Sequence, residues 1–176
     1  MTQTKMGRRH KRHLFLLVAL AFILASPNLG CMASQGSLNT GEKQEIIDYL
    51  KTMKPTMDAF AAWYDDWNKV LNDKTQDSSQ FTARLFALQI RLQNISNEIG
   101  QSVPPKALEQ FKRDWSKECQ YLSQIMNLFA RGVKENNPSV AKEGNKLALE
   151  LNAFKKNYIA KYFDVLKKYD IDTTKL

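Results

Sequence analysis

Residues 46–71 read IIDYLKTMKPTMDAFAAWYDDWNKVL. Within them Ile46, Leu50, Met53, Met57, Phe60, Tyr64, Trp67 and Leu71 recur at alternating steps of four and three. That spacing is a heptad stripe. It lays one apolar seam along an α-helix and does not suit a strand, whose faces alternate every second residue. Pro55 falls inside the run, yet the stripe keeps phase across it, and with Leu50 at heptad position a the proline occupies f, opposite the seam. One long kinked helix is the reading, rather than two helices. Trp63 takes position g at the margin of the seam and is expected to be partly exposed, where an aromatic can anchor a partner. Asn39 and Glu42 have the spacing of a capping box at the helix start.

Three more stripes follow. Residues 72–79 are polar turn formers, with Asp77, Ser78 or Ser79 as the cap of a second helix whose seam is Phe81, Leu85, Leu88, Leu92, Ile95 and Ile99. Gly100 stands where a left-handed C-terminal cap is expected. Pro104 and Pro105 open a third helix with the seam Leu108, Phe111, Trp115, Cys119, Leu122, Met126, Phe129 and Val133. After the turn residues 136–139, a fourth carries Val140, Gly144, Leu147, Leu151, Phe154, Tyr158, Tyr162, Val165 and Tyr169. Successive steps of four at Trp115 and Tyr158 are stutters, which unwind a supercoil locally. Nothing alternates with period two over a useful length. The expected fold is all-α, an up-down-up-down four-helix bundle over residues 41–176. Residues 41–77 hold five lysines against eight acids and residues 142–168 seven lysines against three. The first and last helices should therefore be complementary neighbours.

Ahead of the bundle, a basic flank at residues 8–13 precedes a charge-free apolar run at residues 14–25. That run is shorter than the roughly 20 residues a membrane-spanning helix needs. With Ser26, Pro27 and Asn28 cutting it off, it reads as an export signal over residues 1–30. Residues 32–39 are small, polar and uncharged, a tether. Five of the 26 basic residues and none of the 18 acidic ones precede Cys31, so the remainder carries 21 against 18, a net charge of +3. No basic run follows Cys31, and nucleic acid is not an expected partner.

The end of the signal, Asn28-Leu29-Gly30-Cys31, resembles the lipobox of bacterial lipoproteins, in which a small residue precedes the cysteine. The resemblance implies that Cys31 is diacylated, with a palmitate-type lipid anchor, and becomes the mature N-terminus. Asn28 and Leu29 hold places where that family has leucine and a small residue. An uncleaved anchor or an ordinary cleaved signal are the alternatives. From Val103 to Tyr169, the Pro-Pro helix start, the helical hairpin and the Asn/Pro turn into a lysine-rich last helix resemble helical-bundle lipoproteins of bacteria. That implies a place in the cell envelope, facing periplasm or exterior, and no particular activity.

Both histidines, His10 and His13, lie in the signal, so the remainder has no imidazole for a metal, haem or general base, and no cofactor is expected. If Cys31 is acylated, Cys119 has no disulfide partner; its place on a buried stripe gives it a core role. Asp65 and Asp66 are adjacent and do not share a helix face, so they read as solvated surface rather than a catalytic dyad. No catalytic residue is assigned. The expected function is a non-enzymatic, lipid-anchored module that binds an envelope protein or serves structurally. The alternative is a carrier or sensor for a small apolar or aromatic ligand. A groove for it is expected near the tether end, lined by Met53, Met57, Phe111, Trp115, Tyr158 and Tyr162, because the second helix looks about three turns shorter than the third and fourth.

Overall fold

The structure, a computed structural model, describes residues 40–175. Cys31, the tether and the capping residue Asn39 lie outside the described residues. Four helices follow one another: α1 (Thr40–Asn72), α2 (Ser78–Gln101), α3 (Glu109–Lys134) and α4 (Pro138–Lys168). Short 3-10 turns stand before α3 (Lys106–Leu108) and after α4 (Thr173–Lys175). Successive helices pack side by side, and α1 meets α4, so the four close into a four-helix bundle.

The heptad stripes become the core. Ile46, Leu50, Trp67, Leu85, Leu92, Ile99, Leu108, Leu122 and Leu151 keep at most 2% of their surface exposed. Helix α1 runs unbroken through Pro55, which is exposed, so the carbonyl that loses its intrahelical donor there faces water. Trp63 departs from expectation: it is fully buried, and its indole Nε1 donates to the carbonyl of Leu88 on α2 at 2.8 Å. A ring that large at position g turns inward because α2 offers it both apolar surface and an acceptor.

Gly100 is not a left-handed cap. It lies inside α2, and no glycine among the described residues has positive φ. Ser102 ends the helix instead, its N–H bonding the carbonyls of Glu98 and Ile99. The Lys112 ammonium of α3 donates to the carbonyls of Gly100 at 2.9 Å and Ser102 at 2.5 Å. Helix-end carbonyls satisfied in this way need no left-handed residue. At the other end of α2 the cap is Asp77, in a capping box with Gln80. The left-handed positions are Asn136 (φ 47°) and Asp170 (φ 49°), just past α3 and α4. The helix after the prolines begins at Glu109, since a 3-10 turn occupies residues 106–108. With 24 residues against 26 in α3 and 31 in α4, α2 is shorter than α3 by about half a turn and than α4 by about two, rather than by three.

At the end near residue 40, the Tyr169 hydroxyl donates to Glu42 at 2.9 Å and Lys43 donates to the Asp170 carbonyl at 2.7 Å. The ion pair there is Lys43–Asp170, a lysine on α1 with an acid after α4, the reverse of the polarity that the charge totals suggested. At the far end α3 and α4 approach closely. A Cβ on Gly132 would stand 2.9 Å from the backbone nitrogen of Ala141, and one on Gly144 2.8 Å from the Phe129 ring.

Candidate functional site

Glu118 on α3 is fully buried at the junction of three helices. Trp115, Glu118, Leu122, Ile125, Phe129 and Gly132 are spaced three-four-three-four-three, a second seam beside the Cys119 one. The stutter at Trp115 is where α3 begins to serve both. On this seam Glu118 reaches inward, and the Tyr64 hydroxyl of α1 donates to its Oε1 while the Tyr158 hydroxyl of α4 donates to its Oε2. Lys155 of α4 places its ammonium 3.3 Å from Oε1 and 3.9 Å above the Tyr64 ring. One carboxylate thus gathers two hydroxyls and a cation from the two helices facing α3, the arrangement a buried charge requires.

The protonation of this cluster follows from its burial. Desolvation, reinforced by the charge of Glu118 and the hydrogen bonds to it, holds the Tyr64 and Tyr158 hydroxyls well above the ordinary tyrosine range. They remain donors. The neighbouring Cys119 thiol is pushed up to about 12, first by burial and then by Glu118, which leaves it protonated and a poor nucleophile at neutral pH. The cluster has the composition of an acid–base site, but Glu118 is enclosed and has no open side for a substrate.

A shallow cleft of about 40 Å³ lies against Tyr158, between the start of α3 and the end of α4. Phe111, Tyr158 and Tyr162 line it, with Gln110, Asp114 and Lys161 at the rim. Phe111 and Tyr162 stack with their centroids 4.2 Å apart, and the cleft is what remains around them. Of the other residues expected at a groove, Met53 and Trp115 are buried in the core and Met57 is half-buried against it; none of the three lines the cleft. Residues 102–108 lie across this end: Tyr49 and Ser102 share a hydrogen bond of 3.1 Å and Leu108 is fully buried. A second opening, about 190 Å³, lies between α1 and α2. Charges line it, and Arg91–Asp66 and Arg84–Asp73 pair at 2.6 Å. Small-molecule pockets run from about 300 Å³ upward. Both openings fall short.

Asp65 is exposed, and Asp66 is engaged by Arg91 and Lys69, which hold its carboxyl below the usual range. Among the described residues no group of three or more His, Cys, Asp or Glu side chains is placed to hold a metal, and no helix is long and apolar enough to cross a membrane.

The outer surface of α2 differs from these closed sites. Phe86 is 64% exposed and Ile90, one turn on, 50% exposed. They sit on the ridge opposite the core with Ser79, Ala83, Gln93, Asn97 and Gln101, and no residue of that ridge is charged. Comparison with known proteins finds no family model, no curated protein and no solved structure that matches the chain.

Proposed function

We propose that the protein is an exported, lipid-anchored helical-bundle module of the cell envelope that works without catalysis by docking a protein partner. The observation that carries the docking half is the uncharged ridge of α2, where Phe86 and Ile90 stand in water. Leaving a phenyl ring exposed forgoes about 1.5 to 3 kcal/mol of burial, and apolar anchors on a polar-rimmed face mark interaction sites. The closed core and the small clefts favour this reading over the carrier. The anchor half rests on the lipobox-like sequence ending at Cys31.

A photo-crosslinking amino acid at position 86, in the protein expressed in its own envelope, tests the docking half. A discrete protein adduct that disappears with Ile90→Ser is expected. Adducts no different from those at exposed Ala61 on α1 would remove the ridge as the docking face. Intact-mass measurement tests the anchor: an N-terminus other than acylated Cys31 rules it out.

A further inference from the structure

Charge divides the bundle between its two helix pairs. Residues 40–101 carry seven basic side chains against nine acidic, and residues 106–168 carry thirteen against seven. The excess is concentrated on the outer ridge of α4, where Lys142, Lys146, Lys156 and Lys167 are all exposed and make no ion pair among the described residues. Asp164 is the one acid on that ridge. Between the lysines stand Ala153 and Ala160, too small to screen them, and Leu149, which is 65% exposed.

We infer that this ridge of α4 is a docking face for an anionic phospholipid surface, on which the bundle lies along its length. The lysines span about 25 residues of one continuous helix, roughly 38 Å at 1.5 Å per residue. Such a convex line has no concavity to receive a ligand, but every lysine on it can touch a plane at once. Long lysine stems let the ammonium groups reach headgroups while Leu149 enters the interface between them. Each basic residue held near an anionic leaflet adds a favourable increment, screened within a Debye length. The inference rests on the anchored reading proposed above. A tether of residues 32–39 reaches about 28 Å when extended, which keeps α4 within range of the bilayer. Since α2 packs against α1 and α3, while α4 packs on α3 and reaches α1 through Lys155 over the Tyr64 ring, α2 and α4 lie on different sides of the bundle. A bundle lying on α4 turns Phe86 and Ile90 away from the membrane, toward a partner.

The test uses the protein purified from its own envelope and mixed with vesicles of phosphatidylcholine alone or with phosphatidylglycerol added. Flotation reads the anchor. Brief acetylation with a water-soluble amine reagent, followed by peptide mass spectrometry, reads the face. With phosphatidylglycerol, labelling of Lys142, Lys146, Lys156 and Lys167 should slow by about fivefold or more and recover in high salt, as screening requires. The exposed lysines Lys51, Lys54, Lys69 and Lys74 should label alike in both. Flotation with both vesicles but equal ridge labelling overturns the inference and leaves the anchor standing. Ridge protection with flotation on phosphatidylglycerol alone removes the anchor and keeps the ridge. Protection by added polyglutamate but by neither vesicle assigns the ridge to an acidic protein and overturns the inference.

Discussion

Between α3 and α4 the backbones come so close that Gly132 has no room for a Cβ beside Ala141, and a buried carboxylate on α3 takes hydroxyl and ammonium partners from α4. Between α1 and α2 the ties are side chains reaching across: the Trp63 indole to the Leu88 carbonyl, and Arg84–Asp73 and Arg91–Asp66 at the surface. The first pair depends on a few positions that accept no substitute. In the second, exposed pairs each contribute little. Stability in this bundle therefore should not be spread evenly, and mutations can measure the imbalance.

The largest effect is expected at Glu118. Replacing it with alanine leaves Lys155 and the Tyr158 hydroxyl without their buried partner and should cost about 3 to 5 kcal/mol in urea unfolding. A loss under about 1 kcal/mol would mean the network does not hold α3 to α4. Alkaline pH tests the same region without mutation. The Cys119 thiol has its folded pKa raised from 9.0 to about 12, and the Tyr162 hydroxyl from 10.0 to about 12, both by burial. A raised folded pKa means stability that is complete below the unfolded value and is lost as pH climbs through the folded one. The window is therefore pH 9 to 12, with about 4 kcal/mol gone by pH 11, about two-thirds of it from the thiol and the rest from the hydroxyl. Cys119→Ala should blunt that fall, and an unchanged profile would place the alkaline sensitivity elsewhere.

Gly132→Ala should cost about 1 to 3 kcal/mol, because the intruding methyl meets backbone rather than a side chain that can move. Gly100, where an added methyl would find nothing within 4 Å, is the control. Gly100→Ala should stabilise by about 0.5 to 1 kcal/mol. Effects of opposite sign would show that the α3–α4 contact, not glycine content, sets the difference. The smallest change is expected at Arg84→Ala, where a partly exposed ion pair is lost: under about 1 kcal/mol in a thermal melt. A larger loss would mean that α1 and α2 are tied at their surface as firmly as α3 and α4 are in their interior.

The bundle is readable because four stripes of period three and four admit one kind of packing. Leu85, Leu92, Leu122 and Leu151 all come to the interior where their spacing puts them. Glu118 does not stand out in the same way, although its signal is present: the stutter at Trp115 opens a second seam, and the charged residue on it is the one that needs partners. Reading a carboxylate as surface by default hides that possibility. Trp63 lies deeper than its position g suggests because a heptad letter says where a Cα lies and not which acceptor the indole will find. The expected groove depends on where α2 stops. A lysine thirteen residues past Ile99 supplies the helix end with donors, which no local rule about glycine anticipates.

Trp67 lies one turn beyond Trp63, its ring stacked between Trp63 and Phe129, and its indole nitrogen is buried with no acceptor. Two tryptophans in one apolar layer thus differ in a single respect. In a proton spectrum the Trp63 N–H should resonate downfield, deshielded by the Leu88 carbonyl, while the Trp67 N–H lies upfield of it. Exchange of the first with deuterium requires a broken bond as well as an opened core, and exchange of the second requires the opening alone. The pair makes the breathing of the α1–α2–α3 interior observable at two individual protons.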